Sequence, residues 1–154
     1  MTKRLSYADY PKATASLLAL GRYVHHCGLE QSLIELVLLR VSQLNGCAYC
    51  IDMHTKDARA AGETEQRLYL LQAWRETPLY SERERAALAW CEAVTRLGEH
   101  GVSDEIYAQA RASFEEEELL NLNMTTILIN AWNRIAIPFQ AVPGSYQPAA
   151  QQAA

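Results

Sequence analysis

The sequence of 154 residues contains no run of about 20 apolar residues, the length that a helix needs to cross a bilayer. It has no excess of basic residues either, because 14 lysines and arginines stand against 18 aspartates and glutamates, for a formal net charge of -4. We therefore expect no membrane span and no nucleic-acid partner. The N-terminus lacks the apolar segment of a secretory signal, since Asp9 and Lys12 interrupt it, which favours a cytoplasmic location.

Cysteine is scarce, with four residues in the chain. In the cytoplasm thiols are kept reduced, and persistent structural disulfides are rare. Cys47 and Cys50 lie close together, and such a pair is more typical of reactive thiols or of a metal site than of a structural disulfide. Cys27 and Cys91 have no comparable spacing, so we interpret them as small buried hydrophobic residues.

Strand segments joined by a hairpin turn are also missing, and the apolar periodicity predicts a single all-α domain of about six to eight helices. Predicted helices cover residues 12–26, 30–45, 47–61 and 64–76. Three more begin at N-terminal signals near Ser81, Ser103 and Ser113, and Ser81 with Glu84 and Ser113 with Glu116 are expected capping boxes. The last helix is expected to end near Ile137. The domain then covers residues 1–141, and the aperiodic tail 142–154 is either disordered or in contact with another subunit.

The most informative segment is Gly46-Cys47-Ala48-Tyr49-Cys50-Ile51-Asp52-Met53-His54. In a helix, offsets of three, four and seven residues share one face, so Cys47, Cys50 and His54 form one stripe at a helix start. Unpaired backbone N–H groups there lower a thiol pKa. By analogy with thioredoxin Cys47 would be the attacking thiol, whereas the neighbouring imidazole of His54 favours Cys50.

Glu35 is an acid within an otherwise apolar predicted helix. Burial would raise its pKa towards a range useful for proton transfer, with His54 as an available partner. Ser42 shares its helix face and could complete a polar lining. The alternative for Glu35 is local, because Ser32 three residues earlier makes a possible capping box.

Two further sets of polar residues leave alternatives open. A zinc ion could be held by Cys47, Cys50 and His54, with a fourth ligand from Glu35, His25 or His26. Near the C-terminus an apolar helix carries polar side chains that either satisfy groups inside the fold or meet a second subunit. These are Asn123, Asn130, Asn133 and Arg134.

The spacing of Glu35, the Cys47-Ala48-Tyr49-Cys50 segment and His54 resembles the carboxymuconolactone decarboxylase superfamily, in its alkylhydroperoxidase D-like branch. The flanking segments 39–46 and 54–59, and Ile129-Asn130-Ala131-Trp132-Asn133-Arg134, are also similar to that family. The resemblance covers about residues 28–141.

The resemblance implies an all-helical homo-oligomer, a trimer or hexamer, with cofactor-free, thiol-dependent peroxidase activity. It implies that Cys50 attacks a hydroperoxide, that Cys47 resolves the product as a disulfide, and that an external dithiol reduces this disulfide. Glu35 and His54 would then form a proton relay. Tyr49 stands where the best-studied members have a histidine, and a phenol with a pKa near ~10 is no base at neutral pH.

Two other functions remain as alternatives. One is a zinc-binding or redox-sensing interaction module built on the same cysteines. The other is decarboxylation of a carboxylated lactone, which we rank lower because the members that catalyse it lack the cysteine pair.

Overall fold

The computed structural model describes residues 4–149, and within this range the chain is entirely helical, with seven α-helices and no strand. The α-helices are α1 (Pro11–Val24), α2 (Gln31–Asn45), α3 (Ala48–Ala60), α4 (Glu65–Leu70), α5 (Glu82–Thr95), α6 (Asp104–Ser113) and α7 (Glu116–Ala136). Short 3-10 helices cover Tyr7–Asp9 and Leu71–Glu76. The prediction of an all-α fold with six to eight helices is confirmed.

Helix α2 lies at the centre of the bundle and packs against α3, α5 and α7. Ten consecutive residues of α2, from Leu33 to Ser42, are buried. This explains why its sequence is apolar on nearly all sides, since a helix surrounded by others has no face in contact with water. Two residues of this run have ionisable side chains, and each binds a side chain of a neighbouring helix: Arg40 pairs with Glu92 of α5, and Glu35 is hydrogen-bonded to His54 of α3.

A tight turn joins α2 to α3 and sets the geometry of the site. Gly46 has φ of 70°, a left-handed conformation that glycine adopts without a steric penalty, and Cys47 then caps α3. The two helices form a hairpin in which Glu35 lies about three turns before the turn and His54 about two turns after it. Residues far apart on two helices thereby reach the same level of the bundle.

Two predictions of local helical structure are wrong. The segment expected as one helix over residues 64–76 is divided into α4 and a 3-10 helix, with a non-helical backbone at Ala73. The expected capping box of Ser113 with Glu116 is absent, because Ser113 is the last residue of α6. The box instead consists of Glu115 and Glu118 at the start of α7. The box of Ser81 with Glu84 is present as predicted.

The amides near the end of α7 bind within the chain. Asn133 donates to the hydroxyl of Ser42, and Asn130 donates to Thr95. Both amide oxygens accept from the side chain of Asn45. Asn130 and Asn133 therefore connect α7 to α2 and α5 instead of offering free groups to a partner subunit.

The C-terminal segment 142–149 lies against α3 of the same chain. The backbone N–H of Gly144 donates to Asp52, and Lys56 donates to the carbonyls of Gly144 and Tyr146. The rest of the predicted tail, residues 150–154, lies outside the described residues. No helix within residues 4–149 has the length and apolar character that crossing a membrane requires.

Candidate active site

The two closely spaced cysteines lie at the start of α3 and are joined by a disulfide, with their Cα atoms 5.4 Å apart. Cys47 is the N-cap residue, and its sulfur accepts from the backbone N–H of Cys50 at 3.4 Å. The separation of the Cα atoms lies within the usual range for disulfides. Both residues are buried, with 1% and 2% of their surface exposed.

Cys50 and His54 line one cavity of about 340 Å³. Apolar side chains form most of its wall, namely Leu18, Leu38, Met53, Leu128, Ile129 and Trp132. The hydroxyl-bearing rings of Tyr7 and Tyr49 also border it. A small organic molecule that enters this cavity meets Cys50 and His54 in a mostly apolar space, with the tyrosine rings and His25 as the other polar groups in the wall.

The imidazole of His54 is hydrogen-bonded to Glu35, with 3.1 Å between Nδ1 and Oε2. Both side chains are buried. The other carboxylate oxygen of Glu35 accepts from Gln31, which also contacts the exposed His25. Glu35 is thus hydrogen-bonded to His54, and His54 borders the same cavity as Cys50, so that the structure brings three of the predicted site residues together.

The local alternative for Glu35 is wrong. Helix α2 begins at Gln31 after an N-cap at Glu30, so that Ser32 lies inside the helix and forms no capping box with Glu35. The carboxylate binds side chains instead, and it is free of any capping role.

Asp57 and Tyr146 extend this group of polar side chains, and the sequence did not indicate either. Asp57 follows His54 by one turn of α3, and the hydroxyl of Tyr146 donates to it at 2.7 Å. Burial raises the pKa of Asp57, and the nearby carboxylate of Glu35 adds to the increase, while Tyr146 and His54 oppose it. Burial, and then the hydrogen bond to Asp57, raise the pKa of Tyr146, so that its hydroxyl stays protonated.

The remaining predicted residues occupy different places. Tyr49 is half-buried at the cavity wall. Ser42 does not border the cavity, because its hydroxyl donates to the carbonyl of Leu38 and accepts from Asn133. Cys91 is buried in the core as predicted, whereas Cys27 is only partly buried.

The possible metal ligands differ from the predicted zinc set. In the disulfide, Cys47 and Cys50 offer no thiolate. Within residues 4–149 one group brings three ligating side chains together, Glu35, His54 and Asp57, with ligating atoms all within 4.8 Å of one another. The histidines considered as fourth ligands are not part of it.

Comparisons with known proteins find similarity along most of the chain. The uncharacterized protein YdfG of Bacillus subtilis (strain 168) is 43% identical over 138 residues, which cover 89% of this chain and 94% of YdfG. A crystal structure of a protein of unknown function from Agrobacterium tumefaciens, provisionally described as the antioxidant defence protein AhpD, is 42% identical with a TM-score of 0.89. That match covers 94% of this chain and all of the other.

A more distant structure shares the fold. It is an uncharacterized peroxidase-related protein with an alkylhydroperoxidase AhpD core from Ralstonia eutropha JMP134, 20% identical with a TM-score of 0.79, and the match covers 90% of this chain and 74% of that one. The model of the carboxymuconolactone decarboxylase family matches residues 8–93, a range that contains Glu35, both cysteines of the pair and His54. The chain belongs to the carboxymuconolactone decarboxylase family.

Proposed function

We propose that this protein is a thiol-dependent peroxidase that reduces organic hydroperoxides through Cys47 and Cys50. One observation carries the proposal: Cys50 borders an apolar cavity together with His54, whose imidazole is hydrogen-bonded to the buried carboxylate of Glu35. A thiol becomes nucleophilic when a neighbouring base removes its proton, and this arrangement supplies such a base beside a space for the substrate.

The first step is attack by the Cys50 thiolate on the terminal oxygen of the hydroperoxide. The O–O bond breaks, the sulfur becomes a sulfenic acid, and the leaving alkoxide takes a proton to form an alcohol. The Cys47 thiol then attacks the Cys50 sulfur, which releases water and forms the disulfide. The Cα separation of 5.4 Å lies within the range that a disulfide spans.

Glu35 and His54 serve the proton transfers in both steps. His54 accepts the thiol proton of Cys50, and the carboxylate of Glu35 stabilises the imidazolium that results. His54 can then protonate the departing alkoxide. The position of Cys50 in the first turn of α3 adds the favourable field of the helix N-terminus to its thiolate.

Regeneration requires two electrons from outside the protein. An external dithiol attacks the Cys47–Cys50 disulfide, forms a mixed disulfide, and leaves as its own disulfide while both cysteines return to thiols. Tyr49, at the cavity wall, supplies a hydroxyl that can bind the peroxide or a water molecule and takes no part as a base.

The experiment is the consumption of an organic hydroperoxide in the presence of a dithiol reductant. Wild-type protein is expected to turn over, and Cys50→Ser is expected to be inactive. Cys27→Ser is the control, because that cysteine is partly exposed but lies outside the cavity lining. Activity that survives in Cys50→Ser would overturn the assignment of the nucleophile.

The same preparations test the two alternatives. Stoichiometric zinc on protein purified without chelator, together with no peroxide turnover, would favour a zinc-binding or redox-sensing module. Turnover of a carboxylated lactone by a protein that lacks both Cys47 and Cys50 would favour decarboxylation.

A further inference from the structure

Three ligating side chains converge on the side of His54 that faces Glu35. Glu35 comes from α2, His54 and Asp57 come from α3, and their ligating atoms lie within 4.8 Å of one another. We propose that these three residues form a binding site for a divalent transition-metal ion of the Zn²⁺ type. This site uses none of the cysteines and is distinct from the zinc set that the sequence suggested.

The charge of the cluster is the first argument. Glu35 and Asp57 bring two carboxyl groups into a buried or half-buried place. Within residues 4–149, neither carboxyl group forms an ion pair with a lysine or arginine. The side chain of Glu35 binds Gln31 and His54, and that of Asp57 binds Tyr146. With both carboxyls ionised the cluster has a net charge of −2 or, with a protonated imidazole, −1. Buried charges in proteins are paired or coordinate metals, and a divalent cation completes the pairing here.

The geometry is the second argument. Glu35 Oε2 and His54 Nδ1 are 3.1 Å apart. Two ligands that lie 2.0–2.2 Å from a tetrahedral zinc ion are separated by roughly 3.3–3.6 Å, so this pair needs to open by only a few tenths of an ångström to form one edge of such a site. Asp57 supplies the third ligand. Its Oδ1 accepts from Tyr146, and Oδ2 has no hydrogen bond within the described part of the chain.

The donor set selects the class of metal. An imidazole nitrogen with two carboxylate oxygens suits zinc and other divalent transition ions, whereas Mg²⁺ and Ca²⁺ prefer oxygen ligands alone. Three protein ligands leave one position open for water. A second cavity of about 300 Å³ borders Glu35 but not the cysteines, His54 or Asp57.

The site has a consequence that rests on the proposed function. A metal ion on Glu35 Oε2 and His54 Nδ1 takes the two atoms that now share the hydrogen bond. The imidazole then loses its carboxylate partner and becomes a weaker base for Cys50. Zinc is therefore expected to inhibit peroxide turnover, although metal binding itself does not require that turnover.

Calorimetric titration of ZnCl₂ into the oxidised protein tests the site, because the disulfide removes Cys47 and Cys50 as ligands. We expect one zinc ion per chain. Asp57→Asn is expected to bind zinc at least about tenfold more weakly, because the loss of a group that only hydrogen-bonds to a metal ligand already lowers metal affinity by that factor. Asp52→Asn is the matched control, because Asp52 also lies on α3 and contacts the C-terminal segment but is not in the cluster.

The outcomes are separable. Absence of saturable binding, equal affinity in Asp57→Asn and wild type, or loss of binding when both cysteines are replaced by serine would each overturn the site. Titration of the wild-type protein with Co²⁺ gives a second readout, the absorption spectrum. Nitrogen and oxygen ligands produce no thiolate-to-cobalt charge-transfer band, so the presence of that band would contradict the assignment. Zinc binding in a protein without peroxidase activity would uphold the site and refute the proposed function.

Discussion

Glu35 and His54 meet across the hairpin of α2 and α3, with Oε2 and Nδ1 3.1 Å apart and both side chains buried. The contact orders the site, because it directs one imidazole nitrogen to the carboxylate while the ring borders the cavity that contains Cys50. A histidine held in this way keeps one tautomer and one orientation. The chemistry proposed for Cys50 depends on this contact.

Replacing Glu35 by glutamine removes the negative charge while it keeps the size of the side chain and an oxygen that can bind His54. We expect the reaction of Cys50 with an organic hydroperoxide to slow about a hundredfold, within the roughly 10²–10⁴ range of general acid–base catalysis. Rapid-mixing kinetics of the reduced protein would measure this. Glu65→Gln, on the exposed surface of α4, is the control, and an unchanged rate in Glu35→Gln would refute the relay.

The apolar wall of the cavity predicts a preference among peroxides. Trp132 borders the cavity, and Trp132→Ala removes a large part of that wall. We expect kcat/KM for a bulky aromatic hydroperoxide to fall about tenfold, because an apolar contact with substrate is worth roughly 1–3 kcal/mol. Hydrogen peroxide is too small to depend on this contact and serves as the internal control. An equal loss for both peroxides would indicate general damage to the site instead.

The hydrogen bonds of the Glu92 carboxylate predict how the stability of the folded protein responds to acid. Burial opposes its ionisation, but hydrogen bonds from Trp74, Arg75 and Arg40 outweigh burial and lower its pKa below 4.5. A carboxyl group whose pKa is lower in the folded protein than in the unfolded chain stabilises the fold at pH values above its pKa in the unfolded chain. This stability is lost as the pH falls through the pKa of the group in the folded protein. Wild-type protein should therefore lose stability steadily below about pH 4.5.

Glu92→Gln checks this assignment. The variant should be less stable at pH 7 by about 2 kcal/mol, because the buried guanidinium of Arg40 loses its charged partner. Its stability should also depend less on pH below about pH 4.5 than that of the wild type. Urea unfolding at several pH values measures both effects. Parallel acid profiles for the two proteins would show that another group carries the dependence.

The hydrogen bond of Tyr146 is expected to help hold the C-terminal segment on α3. Its hydroxyl donates to Asp57, and Tyr146→Phe removes that single bond at a cost of about 1 kcal/mol. Hydrogen exchange of the Gly144 amide, which donates to Asp52, should become faster. Tyr69→Phe is the matched control, since Tyr69 is 69% exposed and its hydroxyl binds Glu65 on the surface. Identical exchange in Tyr146→Phe and wild type would show that Lys56 and Asp52 hold the segment without Tyr146.

Much of the fold could be predicted from local sequence. The predicted helices over residues 30–45 and 47–61 end directly before Gly46 and Gly62, where φ is positive, and α2 and α3 end within two residues of these glycines. The failures were also local. Residues 113–118 offer two overlapping capping patterns, and in the structure Ser113 ends α6, so that Glu115 and Glu118 form the box.

Part of the candidate site was also predictable from local sequence. Cys47, Cys50 and His54 lie on one helix, so that their spacing alone places them together. Asp57 lacked a signal because one carboxylate on a helix is common, and what distinguishes it is its proximity to Glu35 and its hydrogen bond from Tyr146. Tyr146 is 89 residues away in sequence, and no periodicity relates it to α3.

The central claim is that Cys50 is the attacking thiol and Cys47 the resolving one. Cys47→Ser protein, reduced and then mixed with one equivalent of an organic hydroperoxide, tests it most directly by peptide mass spectrometry. The account predicts one equivalent of alcohol and one added oxygen atom on Cys50 as a sulfenic acid, which a dimedone-type probe traps. A protein that consumes the peroxide and leaves Cys50 unmodified, or does not react with peroxide at all, would contradict the account.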